Sequence, residues 1–355
     1  MLKLEARSTP STFWAYASPV LALVITVVIA VLLFIGLGKD PVKGLSAFFI
    51  EPLKNLYQLT ELGLKATPLI LCALGLSICY RSNVWNIGAE GQYLLGAICG
   101  GGAALWVTIS GLKPGAWIIV LILLAGVLGG MFWASLVAIF KDKFNASEIL
   151  VSLMLVYIAN LLLSYLVFGP WKDPGGFNFP QTRTFDAAVN MPRMFSIGRL
   201  HWGFVLALGL VVVVWLFMSR TFSGFKLQVG GLAPHAARYA GFSDRKSLWS
   251  ALLISGGLAG LAGAMEATGP LGQLTPHVSV NYGFTAIIVA FLGRLHPVGC
   301  VFASILLSMF LIGGELAQSR LGLPNAITGV FQGLLLFALL GCDTLINYRI
   351  KRSAT

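Results

Sequence analysis

Stretches of about 20 mostly apolar residues recur along the whole chain, and this recurrence decides most of what it can fold into. The runs are Phe13–Leu37, Gly63–Tyr80, Asn86–Ile109, Ala116–Phe140, Ile149–Phe168, Trp202–Met218, Leu248–Ala267, Val278–Gly293, Val298–Glu315 and Ala326–Cys342. A helix needs about 20 such residues, each rising 1.5 Å, to cross the hydrocarbon core of a bilayer. In lipid every backbone N–H and C=O must be paired inside the chain, so segments of this length fold as helices. Of 355 residues 57% are hydrophobic and 10% charged, which leaves little sequence for a soluble domain. The expected fold is all-α: a polytopic integral membrane bundle of about ten transmembrane helices, one or more of them broken, in a single domain over residues 1–355.

Ten crossings put both termini on one side. Lys and Arg concentrate in short loops on the cytoplasmic side of membrane proteins. With cytoplasmic N- and C-termini, fourteen of the 24 Lys and Arg residues lie inside, most of them directly beside a span. The first run is about twice the length of a signal-peptide core and has no A-x-A site after it, so it reads as a span. The net charge of +11 is spread singly between apolar runs, with no basic face and no interleaved aromatics. That pattern fits membrane topology and gives no reason to expect a nucleic-acid partner. The five cysteines lie in or at the ends of apolar runs with no C-x-x-C spacing, and read as small buried hydrophobes.

Some segments depart from the simple pattern. About eleven apolar residues separate Gly283 from Arg294, or ~16 Å of helix, too little to span alone. This eighth crossing must borrow the polar stretch from Pro276 onward or be a broken or re-entrant helix, a device found near transport sites. Val42–Tyr57 reads as a short helix at the outer interface, with Leu45, Phe48, Phe49 and Leu56 on one face. Residues 169–201 form a long external loop rich in Pro, Gly and Asn, readable as a docking surface or as a plain connector. Residues 220–246 form a cytoplasmic segment. Within it APHAARYAG (Ala233–Gly241) reads as a short helix opened by a proline and closed by a glycine, suited to docking in a groove on a soluble partner. Four G-x-x-x-G pairs, at Gly96/Gly100, Gly126/Gly130, Gly256/Gly260 and Gly329/Gly333, mark places where helix backbones can approach closely.

The segment NVWNIGAEGQYLLGAICGGG (Asn83–Gly102) sets two Asn, a Glu and a Gln at the mouth of a glycine-rich apolar run. A carboxylate there lines a watery path or a packed interior, because lipid is too costly an environment for it. Two readings stay open. Asn86 caps the third span and leaves Glu90 in a favourable first turn; or Asn83, Asn86, Glu90 and Gln92 line a polar gate. Asn281 and Phe284, ahead of the short eighth run, pair an amide with an aromatic, a combination that holds planar or sugar-like ligands. Glu266 reads as a helix-end carboxylate.

The chain contains no G-x-x-x-x-G-K-[ST], H-E-x-x-H or G-x-S-x-G, and no metal-spaced His cluster. Four segments, in order, carry a resemblance: KATPLILCALGLSICYRSNVWNIGAEGQYLLGA (Lys65–Ala97), NASEILVSLMLVYIAN (Asn145–Asn160), APHAARYAGF (Ala233–Phe242) and GFTAIIVAFLGRLHPVG (Gly283–Gly299). Together they resemble the permease subunits of ABC importers of the branched-chain amino acid, ribose and nucleoside superfamily. The nearest branch is the simple-sugar and nucleoside permeases that work with basic-membrane-protein-type binding proteins. One departure is Val156, where the family often has Asn.

The resemblance implies a permease domain of a bacterial cytoplasmic (inner) membrane importer for a small polar solute, a nucleoside or simple sugar. It implies partnership with an ABC ATPase subunit, a second permease subunit and an external solute-binding protein, with no cofactor and no bond chemistry in this chain. Asn83, Asn86, Glu90, Gln92, Asn281 and Phe284 are then expected near the path. Pro234, His235, Ala237, Arg238, Tyr239 and Gly241 are expected to couple to the ATPase. The rival is a stand-alone ion-coupled transporter, which needs carboxylates near the membrane midplane; Glu90 and Glu266 fall near span ends instead.

Overall fold

The computed structural model describes residues 2–7, 9, 11–111, 115, 117–324 and 326–352. Thirteen α-helices follow in order: α1 Thr12–Gly36, α2 Pro41–Phe49, α3 Leu56–Arg81, α4 Ala89–Ser110, α5 Trp117–Phe144, α6 Glu148–Phe168, α7 Gly203–Arg220, α8 Phe222–Leu232, α9 Pro234–Tyr239, α10 Asp244–Glu266, α11 Tyr282–Leu292, α12 Pro297–Leu321 and α13 Ala326–Asn347. The described residues also include two short strands, β1 Leu2–Ala6 and β2 Tyr348–Arg352. Among the described residues nine helices are long and apolar enough to cross a membrane, and α11 is the one shorter apolar helix. The fourth apolar run begins at Ala116, which lies outside the described residues.

The chain divides into two compact units, residues 1–59 with 306–355, and residues 60–305. In the first unit β1 and β2 pair antiparallel, Leu2 opposite Arg352 and Ala6 opposite Tyr348, so the two chain ends lie side by side. Pro41 at the first position of α2 and Asp40 as its N-cap set that helix, the Asp40 carboxylate accepting from the Val42 N–H at 2.9 Å. Its Gly44–Ala47–Phe48 face is buried, and Phe48 packs edge-on against Phe310 and Phe331 at centroid distances of 6.2 and 5.1 Å.

The second unit is built on a glycine seam. Gly96 of α4, Gly126 and Gly130 of α5, and Gly256 and Gly260 of α10 face one another so closely that a Cβ on Gly96 would fall on the backbone of Gly260. A Cβ on Gly256 would sit 2.5 Å from the Gly130 carbonyl oxygen. Three of the four G-x-x-x-G pairs therefore do what their spacing predicts, holding α4, α5 and α10 in backbone contact. The fourth does not: Gly329 and Gly333 of α13 have open space where a Cβ would go.

The eighth crossing is the broken one. α10 ends in a π-helical turn, Ala267–Leu271, that contains Pro270, which cannot donate to the helix ladder. Gly272 then turns the chain with φ +62°. Residues 272–281 run as irregular backbone, and helix resumes only at Tyr282, giving eleven residues or ~16 Å. Backbone of this kind at membrane depth must be covered by protein. The long loop supplies part of the cover: Thr182 N–H donates to Leu274 O (3.0 Å), Phe185 N–H to Gly272 O (2.7 Å) and Met191 N–H to Thr268 O (2.9 Å).

Candidate functional site

Glu90 is buried in the first turn of α4, yet its carboxylate serves a different helix. Oε2 accepts the Gly283 N–H at 2.6 Å, and the carboxylate also accepts from the Phe284 N–H and the Ser279 hydroxyl. Asn281, at the N-cap of α11, has a left-handed backbone (φ +64°) and makes no side-chain cap bond. Glu90 therefore caps the broken helix from across the bundle. A single carboxylate sits at the N-terminal ends of α4 and α11, where both helix dipoles favour negative charge. The approach is possible because residue 283 is glycine; a Cβ there would strike the Ala89–Glu90 backbone.

Asn86 is fully buried and forms a reciprocal amide pair with Gln92. Nδ2 of Asn86 donates to Gln92 Oε1 (3.0 Å), and Nε2 of Gln92 donates to Asn86 Oδ1 (3.2 Å). Asn86 Nδ2 also donates to Ser255 Oγ on α10 (3.1 Å), and its Oδ1 accepts from Gly88 N–H (3.0 Å). Its side chain is not the N-cap of α4, which is Gly88. The six-residue offset puts Gln92 one turn into the helix, so the pair closes the bend between α3 and α4. α6 holds the same bend from outside: Glu148 Oε2 accepts the Trp85 N–H (2.9 Å) and Ser152 Oγ the Ile87 N–H (3.3 Å).

The six expected path residues therefore separate. Asn86, Glu90 and Gln92 are buried with their polar groups paired, and hold backbone in place. Asn83 is exposed at the end of α3 with φ +56°, its Oδ1 accepting from Trp85 Nε1 (3.3 Å). Asn281 is exposed and Phe284 half-buried, both at the start of the broken helix. Sequence reading missed one exposed polar pair. α6 turns Tyr157 and Asn160 outward in the middle of a 21-residue apolar helix, the Asn160 amide donating to Val156 O (3.1 Å). The signal was present, since Asn160 is the one amide inside that run.

At the other end of the unit, Arg199 at the close of the long loop makes a two-point ion pair with Glu61 of α3, at 3.1 and 2.6 Å. Both partners of this pair lie within electrostatic range of Glu266, as does Lys65. Next to it, burial pushes the His201 imidazole down to about 4, and the neutral ring accepts the Gly203 N–H at Nδ1 (3.1 Å). The Glu61 side chain is 9% exposed against 46% for Arg199. Arg199→Ala strands a buried carboxylate and should cost ~2 kcal/mol, below the 3–5 of fully buried pairs because the arginine is half exposed. A lowered melting temperature of the purified protein, partly restored by adding Glu61→Gln, is the expected outcome; an unchanged melt contradicts the pairing.

The segment between α7 and α10 holds two helices rather than the one short helix expected. α8 opens on Thr221, whose hydroxyl accepts the Gly224 N–H (3.1 Å). α9 starts on Pro234 and ends at Tyr239, and Gly241, just past its C-cap Ala240, turns the chain with φ +79°. Ala237 faces inward and is 1% exposed, whereas Tyr239 is 97% exposed. His235 and Arg238 are exposed as well, and Arg238 Nε pairs with Asp244 Oδ2 at 2.6 Å, tying α9 to the first turn of α10.

Residues 58–340 match the family described as branched-chain amino acid transport system / permease component. The chain belongs to that family. It is 32% identical to the glucose ABC transporter permease protein TsgB13 of Haloferax volcanii, over 98% of this chain and 93% of the relative. It is 31% identical to the guanosine ABC transporter permease protein NupP of Bacillus subtilis, over 88% and 89%. A third relative, the nucleoside ABC transporter permease protein NupB of Lactococcus lactis, is 26% identical over 90% and 89%. The chain is thus a multi-span ABC transporter permease.

Proposed function

We propose that this permease carries a simple sugar or a nucleoside inward across a bacterial cytoplasmic membrane. It would do so with two copies of an ABC ATPase, a second permease subunit and an external solute-binding protein. Relatives named for glucose, guanosine and nucleosides support that substrate class. The observation that carries the coupling reading is α9, a six-residue helix anchored through Ala237 that offers a bare tyrosine to solvent. A buried foot and an exposed aromatic are what a rigid docking element needs. Pro234, Gly241 and the Arg238–Asp244 pair fix its shape, and His235 and Tyr239 make the contact.

The path runs past the broken crossing, where Asn281 and Phe284 meet the solute and Asn83 lies toward the inner end. Asn86, Glu90 and Gln92 act on it by holding the surrounding backbone. Asn160 fits beside it: an amide halfway along a span is costly against lipid, and a water-filled path shared with a second permease relieves that cost. ATP hydrolysis on the partner moves α9, and the bundle rocks between outward- and inward-open states. The chain itself makes and breaks no bonds.

Tyr239→Ala should leave the stability within ~0.5 kcal/mol of wild type, since the ring touches little of its own chain. It should weaken ATPase docking by ~2 kcal/mol, about thirtyfold, as loss of an exposed aromatic anchor does. Solute uptake in cells expressing normal amounts of the variant checks this. Wild-type uptake would overturn the coupling role of α9.

A further inference from the structure

A cavity of about 430 Å³ opens where three spans end together, lined by Arg81 of α3, Trp215, Met218 and Ser219 of α7, and His296 and Pro297 at the start of α12, with α8 closing one wall. Among the described residues no carboxylate lines it. Arg81 is half-buried and makes no ion pair among the described residues. His296 Nδ1 accepts the Val298 N–H (3.3 Å), so in the neutral ring the hydrogen sits on Nε2, free to be donated. Burial, then the neighbouring Arg81, holds that imidazole below its usual range and so favours this neutral form. The rest of the lining is apolar at Trp215, Met218, Phe225 and Pro297 and carries the uncharged polar side chains of Ser219, Thr221 and Gln228. Above them α7 continues outward with exposed Val212, Val213 and Leu216.

We propose that this cavity binds the phosphate headgroup of an anionic phospholipid, with the guanidinium of Arg81 and Nε2–H of His296 on the phosphate and the acyl chain laid along α7. Half of the cavity offers charge-assisted donors that match a phosphate. The other half offers the aromatic and aliphatic wall that an acyl chain needs, at the rim of the spans where a lipid headgroup sits. A free phosphate ion would use the first half and leave the second empty. The site is independent of the transported solute and of the path, and requires only that α3, α7 and α12 cross the bilayer.

The test uses the full chain purified in detergent and titrated with phosphatidylglycerol, phosphatidylcholine or inorganic phosphate, bound lipid being counted by native mass spectrometry. Phosphatidylglycerol should be retained at stoichiometry near one under conditions that strip phosphatidylcholine. Arg81→Gln should weaken that retention about tenfold, the loss of one charge-assisted contact. Arg81→Lys, which keeps the charge, should fall between, and His296→Ala should weaken it by a smaller factor without relying on the Arg81 variant to fold. Equal retention in wild type, R81Q and H296A overturns the assignment. So does displacement of the lipid by inorganic phosphate at the same concentration, which would make this a free-anion site. Absence of any preference for phosphatidylglycerol also overturns it, and would leave Arg81 to an acidic side chain of a docking protein.

Discussion

Gly260→Leu is expected to leave no folded protein to purify. Gly260 lies where α10 meets α4 and α5, with the Gly130 Cα and N each 2.9 Å from where its Cβ would be. These are backbone atoms, which cannot swing aside as a side-chain tip can. Inserting four carbons there forces the three helices apart along the whole seam, at a cost above ~4 kcal/mol, comparable to the full stability of many domains. Gly329→Leu is the matched control. It has the same chemistry in the same sequence motif, but nothing lies within 4 Å of the new Cβ. It should purify in normal yield, within ~1 kcal/mol of wild type. Size-exclusion chromatography of both variants reads the outcome, and a monodisperse Gly260→Leu variant would refute close backbone packing at the seam.

Glu90→Ala should undo the broken crossing while leaving the rest of the bundle standing. The substitution strands the Gly283 and Phe284 N–H groups and the Ser279 hydroxyl in a buried site. Each unpaired buried group costs ~1–3 kcal/mol, so the start of α11 loses most of what holds it. Hydrogen exchange at residues 281–286 should accelerate at least tenfold, and uptake should fall with it. Glu90→Gln, with one carbonyl oxygen left to accept, should lie between. If exchange at 281–286 is unchanged in Glu90→Ala, the carboxylate does not hold this helix.

Much of this is legible in the sequence. Length and hydropathy alone locate the nine long helices, because lipid leaves the backbone no other way to pair its polar groups. The shortness of the run after Gly283 marked the broken crossing, and Pro234 with Gly241 bracketed α9. Of the mixture around Glu90, Asn86, Glu90 and Gln92 are buried and Asn83 is exposed, and the role of the carboxylate was not readable. Its partner Gly283 is 193 residues away, and no local pattern links a first-turn glutamate to the end of a distant helix. Asn86 is not the cap of α4 because its amide is taken up by Gln92, Ser255 and the Gly88 N–H.

Spacing misled at Gly329 and Gly333, where a motif that permits close approach meets no neighbour. α8 was missed because FSGFKLQVGGL carries two consecutive glycines, which lower helix propensity, and its capping Thr221 gives only a weak start signal. The pairing of β1 with β2 joins segments more than 340 residues apart, each too short to read as a strand alone.

The central claim is that this chain is a conduit with no energy source of its own, driven through α9 by an ATPase on a separate subunit. Reconstitution into liposomes tests it most directly. The chain should take up no sugar or nucleoside on a proton or sodium gradient. Uptake should appear only when the ATPase, the second permease, the binding protein and ATP are all supplied. Gradient-driven uptake by the isolated chain would contradict the claim.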